Sequence, residues 1–214
     1  RLQGIVLRFG ESLNRVFFED CYICDSDLKN LSKKVKRTAK MFIVLEGLDG
    51  AGKSTQVKKL KSYLETLGAP LSYIHFPRYD APVYGNLISR FLRGDFGDIA
   101  AVHPQLVALL FAEDRHGAAP SMRAALEAGG TVLLDRYVYS NIAYQCAKLP
   151  SAEEAESLRN WICDTEYGDF GLPKPDLNIC LDVPVSFVEE SLAANRCGDD
   201  RGYLCGGQDI HEAD

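Results

Sequence analysis

No stretch of this chain stays apolar for the roughly 18 residues that a membrane-crossing helix needs, so a membrane partner is not expected. A basic surplus is missing as well. The formal net charge is −6, which argues against nucleic acid as a partner and leaves any anionic ligand to be held by local Arg and Lys. The seven cysteines show no pairing frame for a domain of this size. Cys180 falls in an apolar strand-like run, and Cys146 and Cys163 fall in helical patterns. A reduced, cytoplasmic protein is the expectation. Cys21 and Cys24 have the spacing of a metal or redox pair, but no second pair and no neighbouring histidine accompanies them. Internal repeats and low-complexity segments are also absent.

The composition that remains is that of a globular protein. A length of 214 residues suits one domain with a full core. The charge is unevenly placed, however. Residues 1–40 carry nine Lys and Arg against five Asp and Glu, while the remainder is strongly acidic. Most of 1–40 lacks a hydrophobic period, and it has no apolar core of a signal peptide. The expectation is an extension outside the folded pattern, disordered or upstream of a start at Met41, with the folded domain over 41–214.

That domain opens on the apolar run Met41-Phe-Ile-Val-Leu45, followed by Gly47, Leu48, Asp49, Gly50, Ala51, Gly52, Lys53, Ser54 and Thr55. A strand running into G-x-x-x-x-G-K-[ST] is a phosphate-binding loop. The glycines allow a tight turn that points backbone N–H groups at anionic oxygens. The helix that follows adds the positive end of its dipole, and Val57, Leu60, Leu64 and Leu67 give it an apolar face. Lys53 supplies a mobile charge to the β- and γ-phosphates, and the Ser54 hydroxyl is the expected Mg²⁺ ligand. The ligand implied is a nucleoside triphosphate.

From there strand and helix patterns alternate. Strands are expected at 41–46, 71–75, 131–135 and 177–183. Helices are expected at about 53–67, 83–93, 104–128, 137–148, from Ser151 onward, and from Pro184 to about Ala194. Gly117 and Pro120 should kink or restart the helix that begins at Pro104. Ser151 and Glu154 form a capping box. Such alternation makes a mostly parallel sheet covered on both faces, an α/β three-layer fold.

Other candidates are weaker when taken singly. Asp135 at the carboxyl end of the strand 131–135 can hold a metal shell or cap a helix, and Arg136 can clamp a phosphate. Arg78 leaves the sheet after His75-Phe-Pro, on the side where ligands bind, or is a surface charge. Phe111 and Arg115 lie four apart on one helical face, or read as core plus exposed charge.

Together these pieces resemble the thymidylate kinases. The resemblance rests on Glu46-Gly-Leu-Asp-Gly-Ala-Gly-Lys-Ser-Thr55, Phe76-Pro-Arg-Tyr79, Leu110-Phe-Ala-Glu-Asp-Arg115, Asp135-Arg-Tyr-Val-Tyr-Ser-Asn-Ile-Ala-Tyr144, Gly171-Leu-Pro-Lys-Pro-Asp176 and Leu181-Asp-Val-Pro184. It covers about residues 41–214. It implies a P-loop NTPase fold with a lid, and ATP- and Mg²⁺-dependent phosphorylation of dTMP to dTDP. By that resemblance Asp49 would bind the dTMP 3′-hydroxyl, and Arg78 and Arg136 would hold the acceptor phosphate. Phe76 would line the acceptor site, Phe111 would stack on thymine, and Arg115 would donate to a thymine carbonyl. Ser140 and Asn141 would line base and sugar, Tyr144 would crowd the 2′ position, and Asp135 would sit near Mg²⁺.

The family also requires a basic residue at the transferring phosphoryl group, from the loop or the lid. Loop positions 50 and 51 are Gly and Ala here, so the resemblance points to Arg196 or Arg201, in a lid at about 195–205. It further implies a homodimer packed through helices, and a helix, an edge strand and a final helix after the last residue given, whose absence would expose the sheet edge. Another nucleoside monophosphate kinase, a deoxynucleoside kinase, and an inactive truncated nucleotide-binding fragment are the alternatives.

Overall fold

The computed structural model describes residues 4–8, 41–66, 68, 70–194, 204, 209 and 210. Residues 9–40, with Cys21 and Cys24, lie outside the described residues, as do Arg196, Arg201 and nearly all of the expected lid. The described residues divide into two compact units.

The first unit takes residues up to Ile74, Ser121–Arg136, and those from Lys174. Its sheet has the strands β1 (Gly4–Arg8), β2 (Phe42–Gly47), β3 (Leu71–His75, whose last residue is assigned to the second unit), β4 (Thr131–Asp135) and β5 (Leu177–Asp182) in the order β1-β5-β2-β4-β3. The pairs β2–β4, β2–β5 and β1–β5 are parallel. Every residue of β4 and the first five of β2 are buried, as expected of parallel strands covered on both faces. That is why they read in sequence as unbroken apolar runs. Helix α1 (Lys53–Glu65) lays Val57 and Leu64 against Ile43, Leu45 and Leu133. β1 lies inside the segment set apart as an extension. Its residues pair with β5 from Gly4 opposite Asn178 to Arg8 opposite Asp182, so the β5 edge is occupied.

One side chain closes the ladder between β2 and the segment entering β5. Asp176 Oδ2 accepts from the Phe42 backbone N–H at 2.8 Å, and the Asp176 N–H donates to the Phe42 carbonyl at 2.9 Å. Asp176→Ala removes this acceptor from the Phe42 N–H, and should cost about 1 kcal/mol of stability. A urea melt of the variant checks this. Asp176→Asn, which keeps an acceptor, should recover most of the loss.

The second unit takes His75–Pro120, Tyr137–Pro173, and Leu204, Asp209 and Ile210. It contains α2 (Tyr84–Leu92), most of α3 (Pro104–Glu127), α4 (Val138–Cys146) and α5 (Ala152–Cys163). Ser151 Oγ accepts from the Glu154 N–H at 3.2 Å, the cap read from the sequence. α3 runs through Gly117 and Pro120 as one helix, so of the expected kink or restart there is no restart. Ala118, Ala119 and Met122 are almost fully buried, and that packing offsets the backbone bond the proline removes. α5 passes directly into a wide π-helical turn, Asp164–Asp169, which no periodicity announced.

Candidate active site

In the first unit, β2 delivers the chain into the loop 47–52. Gly50 and Gly52 sit at φ +80° and +85°, where an L side chain is strained, and a Cβ on Gly50 would lie 3.0 Å from the Val188 carbonyl oxygen. Lys53 is the first residue of α1 and only 7% exposed. Its ammonium donates to the carbonyls of Gly47 at 3.0 Å and Leu48 at 2.8 Å, and lies 3.6 Å from Asp49 Oδ1. Burial, then the nearby Arg136 charge, lower its pKa to about 8, while Asp49, Asp135 and Glu46 pull the other way. Ser54 and Thr55 are exposed at the start of α1.

β4 carries the buried Asp135 to its carboxyl end, and Arg136 follows at φ +69°. A non-glycine residue there stores on the order of 1–3 kcal/mol of strain. The Arg136 N–H donates to the Leu45 carbonyl at 2.9 Å, which extends the β2–β4 pairing by one residue. Its Nη2 donates to Asp49 Oδ1. One loop carboxylate thus meets both cations. Asp49 lies between Lys53 and Arg136.

A divalent cation fits the residue types here. Glu46 and Asp135 are buried acids whose charge reaches Lys53, and Ser54 follows it. Among the described residues no group of three or more His, Cys, Asp or Glu could hold a metal unaided. Mg²⁺ would keep waters and be held mainly by phosphates and one or two protein oxygens.

In the second unit, Phe76 is buried and Arg78 is held rigidly. The Arg78 backbone N–H donates to Asp114 Oδ2 and its Nε to Oδ1, each at 2.9 Å, and Nη2 reaches the Asp114 carbonyl at 2.6 Å. Asp114 is 1% exposed, and burial raises its pKa in spite of Arg78. Gly117 leaves room here, since a Cβ would stand 3.1 Å from Arg78 Nη2 and the guanidinium would have to give by a few tenths of an ångström.

Phe111, partly buried, packs against the cluster of Ile88, Phe91, Leu92 and Val107. Arg115, one turn later, is not an exposed charge. It is 2% exposed, with Nε and Nη2 at 2.6 and 2.7 Å from the two Glu166 oxygens. Burial alone would lower its pKa, but the Glu166 charge outweighs that and holds the guanidinium above its ordinary value. Asn141, on α4, donates from Nδ2 to the Ala108 carbonyl and to Glu166 Oε1, both at 3.0 Å. Asn141 Oδ1 is buried and has no hydrogen-bond partner among the described residues. Leaving such an acceptor dry costs about 1–3 kcal/mol. Ser140 and Tyr144 lie half-buried on the same helix.

Glu166 is the residue that sequence reading missed. It lies in the π-helical turn, and its partners are 51 and 25 positions away. The only hint was an acid placed between an apolar helix and Gly171-Leu-Pro.

Three comparisons bear on this arrangement. The thymidylate kinase family model matches residues 45–201. The thymidylate kinase of Mycobacterium tuberculosis is 37% identical over 150 residues, covering 70% of this chain and 69% of that protein. A probable thymidylate kinase of Thermococcus kodakarensis is 41% identical over 150 residues, 68% of this chain and 67% of that one. Among solved structures, a thymidylate kinase from Candida albicans is similar with a TM-score of 0.59 and 31% identity, over 75% of this chain and 68% of that chain.

Proposed function

The chain belongs to the thymidylate kinase family and phosphorylates dTMP, and from that premise we propose that ATP is the donor and that the residues above divide the work of the transfer. The reaction is ATP plus dTMP giving ADP plus dTDP. The acceptor phosphate is already a competent nucleophile, so no strong base is needed. The protein must align two polyanions and spread the developing charge.

Lys53 leaves the Gly47 and Leu48 carbonyls for the β- and γ-phosphates of ATP, and the loop N–H groups from Leu48 to Thr55 surround the same oxygens. Mg²⁺ would be held by Ser54, with Asp135 near it, and would supply charge neutralisation for the polyphosphate. Arg136 and Arg78 take the acceptor phosphate as planar forks. Asp49 turns to the 3′-hydroxyl once phosphates replace it on Lys53 and Arg136. Phe76 lines the acceptor site, and Phe111 gives its face to the base. Arg115, Ser140 and Asn141 meet the base and sugar, and Tyr144 crowds the 2′ position. Arg196 or Arg201 supplies the lid charge, since positions 50 and 51 hold no basic residue.

The observation that supports this reading best is the bridging of Lys53 and Arg136 by Asp49, a carboxylate inside the loop itself. The phosphate-loop pattern leaves that position open to any residue, so the carboxylate is a feature of this loop beyond phosphate binding. An ADP-release assay with dTMP, dUMP, dCMP, AMP and thymidine tests it. Turnover is expected to be greatest with dTMP, and faster turnover with AMP or thymidine overturns the assignment. The reading also places a homodimer in the cytoplasm, which light scattering and cell fractionation test.

Arg78 depends on its own support. A Cβ at Gly85 would lie 2.5 Å from the Arg78 carbonyl oxygen and 2.6 Å from that of Tyr79. Gly85→Ala must therefore displace the segment that carries Arg78. The dTMP KM should rise about tenfold or more, the cost of misplacing one charged contact. Steady-state kinetics with saturating ATP should show this while the ATP KM stays within about twofold.

A further inference from the structure

We propose that Glu166 sets the base preference of this site, by holding Arg115 as a donor and Asn141 with its carbonyl oxygen turned away from the carboxylate. The inference rests on the reading of the chain as a dTMP kinase.

Three groups converge on one carboxylate. Arg115 Nη2 lies 2.7 Å from Glu166 Oε1, and Asn141 Nδ2 lies 3.0 Å from that same oxygen. The second Asn141 N–H goes to the Ala108 carbonyl. Two acceptors therefore sit where the amide must present its NH₂, and the orientation of Asn141 follows from hydrogen-bond chemistry. Both of its donors are consumed. Its oxygen faces away, buried and without a partner among the described residues. Arg115 is likewise turned so that Nε and Nη2 face Glu166, which leaves Nη1 as the nitrogen Glu166 does not engage.

One residue thus fixes both a donor, Arg115, and an acceptor, Asn141 Oδ1. Phe111, one turn before Arg115 on α3, stands as the candidate aromatic face. A base edge that complements this pair has a carbonyl oxygen next to an N–H. The O4 and N3–H of thymine or uracil have that pattern. Cytosine has the reverse, an amino group beside a bare ring nitrogen. A site whose buried polar groups are paired by one base and left unpaired by the other discriminates strongly. Glu166 touches neither substrate nor reacting atoms. It is a positioning residue that fixes the sign of the hydrogen-bond pattern.

Glu166→Gln tests this with little change of shape. A glutamine amide has only one oxygen for donors that now use two. Its NH₂ invites the Asn141 amide to turn round and present a donor where an acceptor stood. The wild-type chain should favour dTMP over dCMP by about 10³ or more in kcat/KM. In Glu166→Gln that ratio should fall at least about thirtyfold, with the ATP KM within about twofold of wild type. Glu166→Asp, which keeps the charge, should restore part of the ratio. An unchanged dTMP-to-dCMP ratio in Glu166→Gln overturns the proposal while leaving the kinase reading intact. A wild-type chain that phosphorylates neither nucleotide overturns both.

Should Glu166→Gln fail to fold, calorimetry on the wild-type chain with dTMP and N3-methyl-dTMP decides. Methylation removes the donor that Asn141 Oδ1 is held to meet. At least about fiftyfold weaker binding is expected, within the range for leaving a buried polar group unpaired, and equal binding overturns the proposal.

Discussion

Lys53→Met should lower kcat by about 10³ or more while leaving the dTMP Kd within about twofold. Removing one charge aimed at a developing transition-state anion costs on the order of 10²–10³, and this lysine is asked to serve both bridging and transferred phosphates. Methionine fills a similar volume, so the helix start should survive. The pH behaviour gives the prediction its sharpest form. In the free chain the Lys53 pKa is lowered from 10.5 to about 8, by burial first and Arg136 second. A folded value below the unfolded one means that the unfolded chain binds the proton more tightly. Below about pH 8 the group destabilises the fold in full, and the penalty fades as pH rises toward 10.5.

Bound polyphosphate works against the burial and draws the pKa back up. ATP binding above about pH 8 should therefore take up protons, and ATP affinity should fall between about pH 8 and 10.5. Calorimetry in buffers of different ionisation enthalpy reads the proton uptake directly. Lys53→Met should abolish it, and should show no loss of melting temperature at neutral pH beyond what the unmet Gly47 and Leu48 carbonyls cause. A variant that keeps near wild-type kcat removes Lys53 from the transfer.

What could be read from sequence divides along a physical line. The loop 47–55 was legible because its demands are local: glycines where φ is positive, a lysine at the first helical turn, and a strand before it buried on both faces. β2, β4 and β5 announced themselves for that last reason. The support for the site was not legible, because it is made across long separations. Asp114 grips Arg78 from 36 positions away, and Glu166 grips Arg115 from 51. Neither acid differs in sequence from a solvated helix charge. Gly117 read as a point where the helix kinks or restarts, yet α3 continues through it, and the space it leaves is used by the Arg78 guanidinium. β1 carried no period strong enough to mark a strand, and its pairing with β5 depends on an edge that only the assembled sheet presents.

Arg136→Met should lower kcat/KM for dTMP by about 10²–10³, the cost of losing a fixed cation from a phosphate site. Backbone and side chain both bear on that expectation, and they can be separated. The backbone of Arg136 sits at φ +69° and is pinned by its N–H on Leu45. Arg136→Gly accepts that conformation without strain and should match or exceed wild-type stability in a thermal melt, yet lose activity as the methionine variant does. Arg136→Lys keeps the charge but loses the planar fork that reaches Asp49 in the free chain, and should recover less than about a tenth of wild-type kcat/KM. Asp49→Asn removes the carboxylate that orients Arg136 while sparing the cation itself, so its loss should be smaller, about tenfold. The order expected is Met and Gly lowest, Lys next, and Asp49→Asn mildest. If Arg136→Met stays within about threefold of wild type, or if Asp49→Asn is the more damaging change, the acceptor phosphate is held elsewhere and Arg136 serves only to anchor the loop.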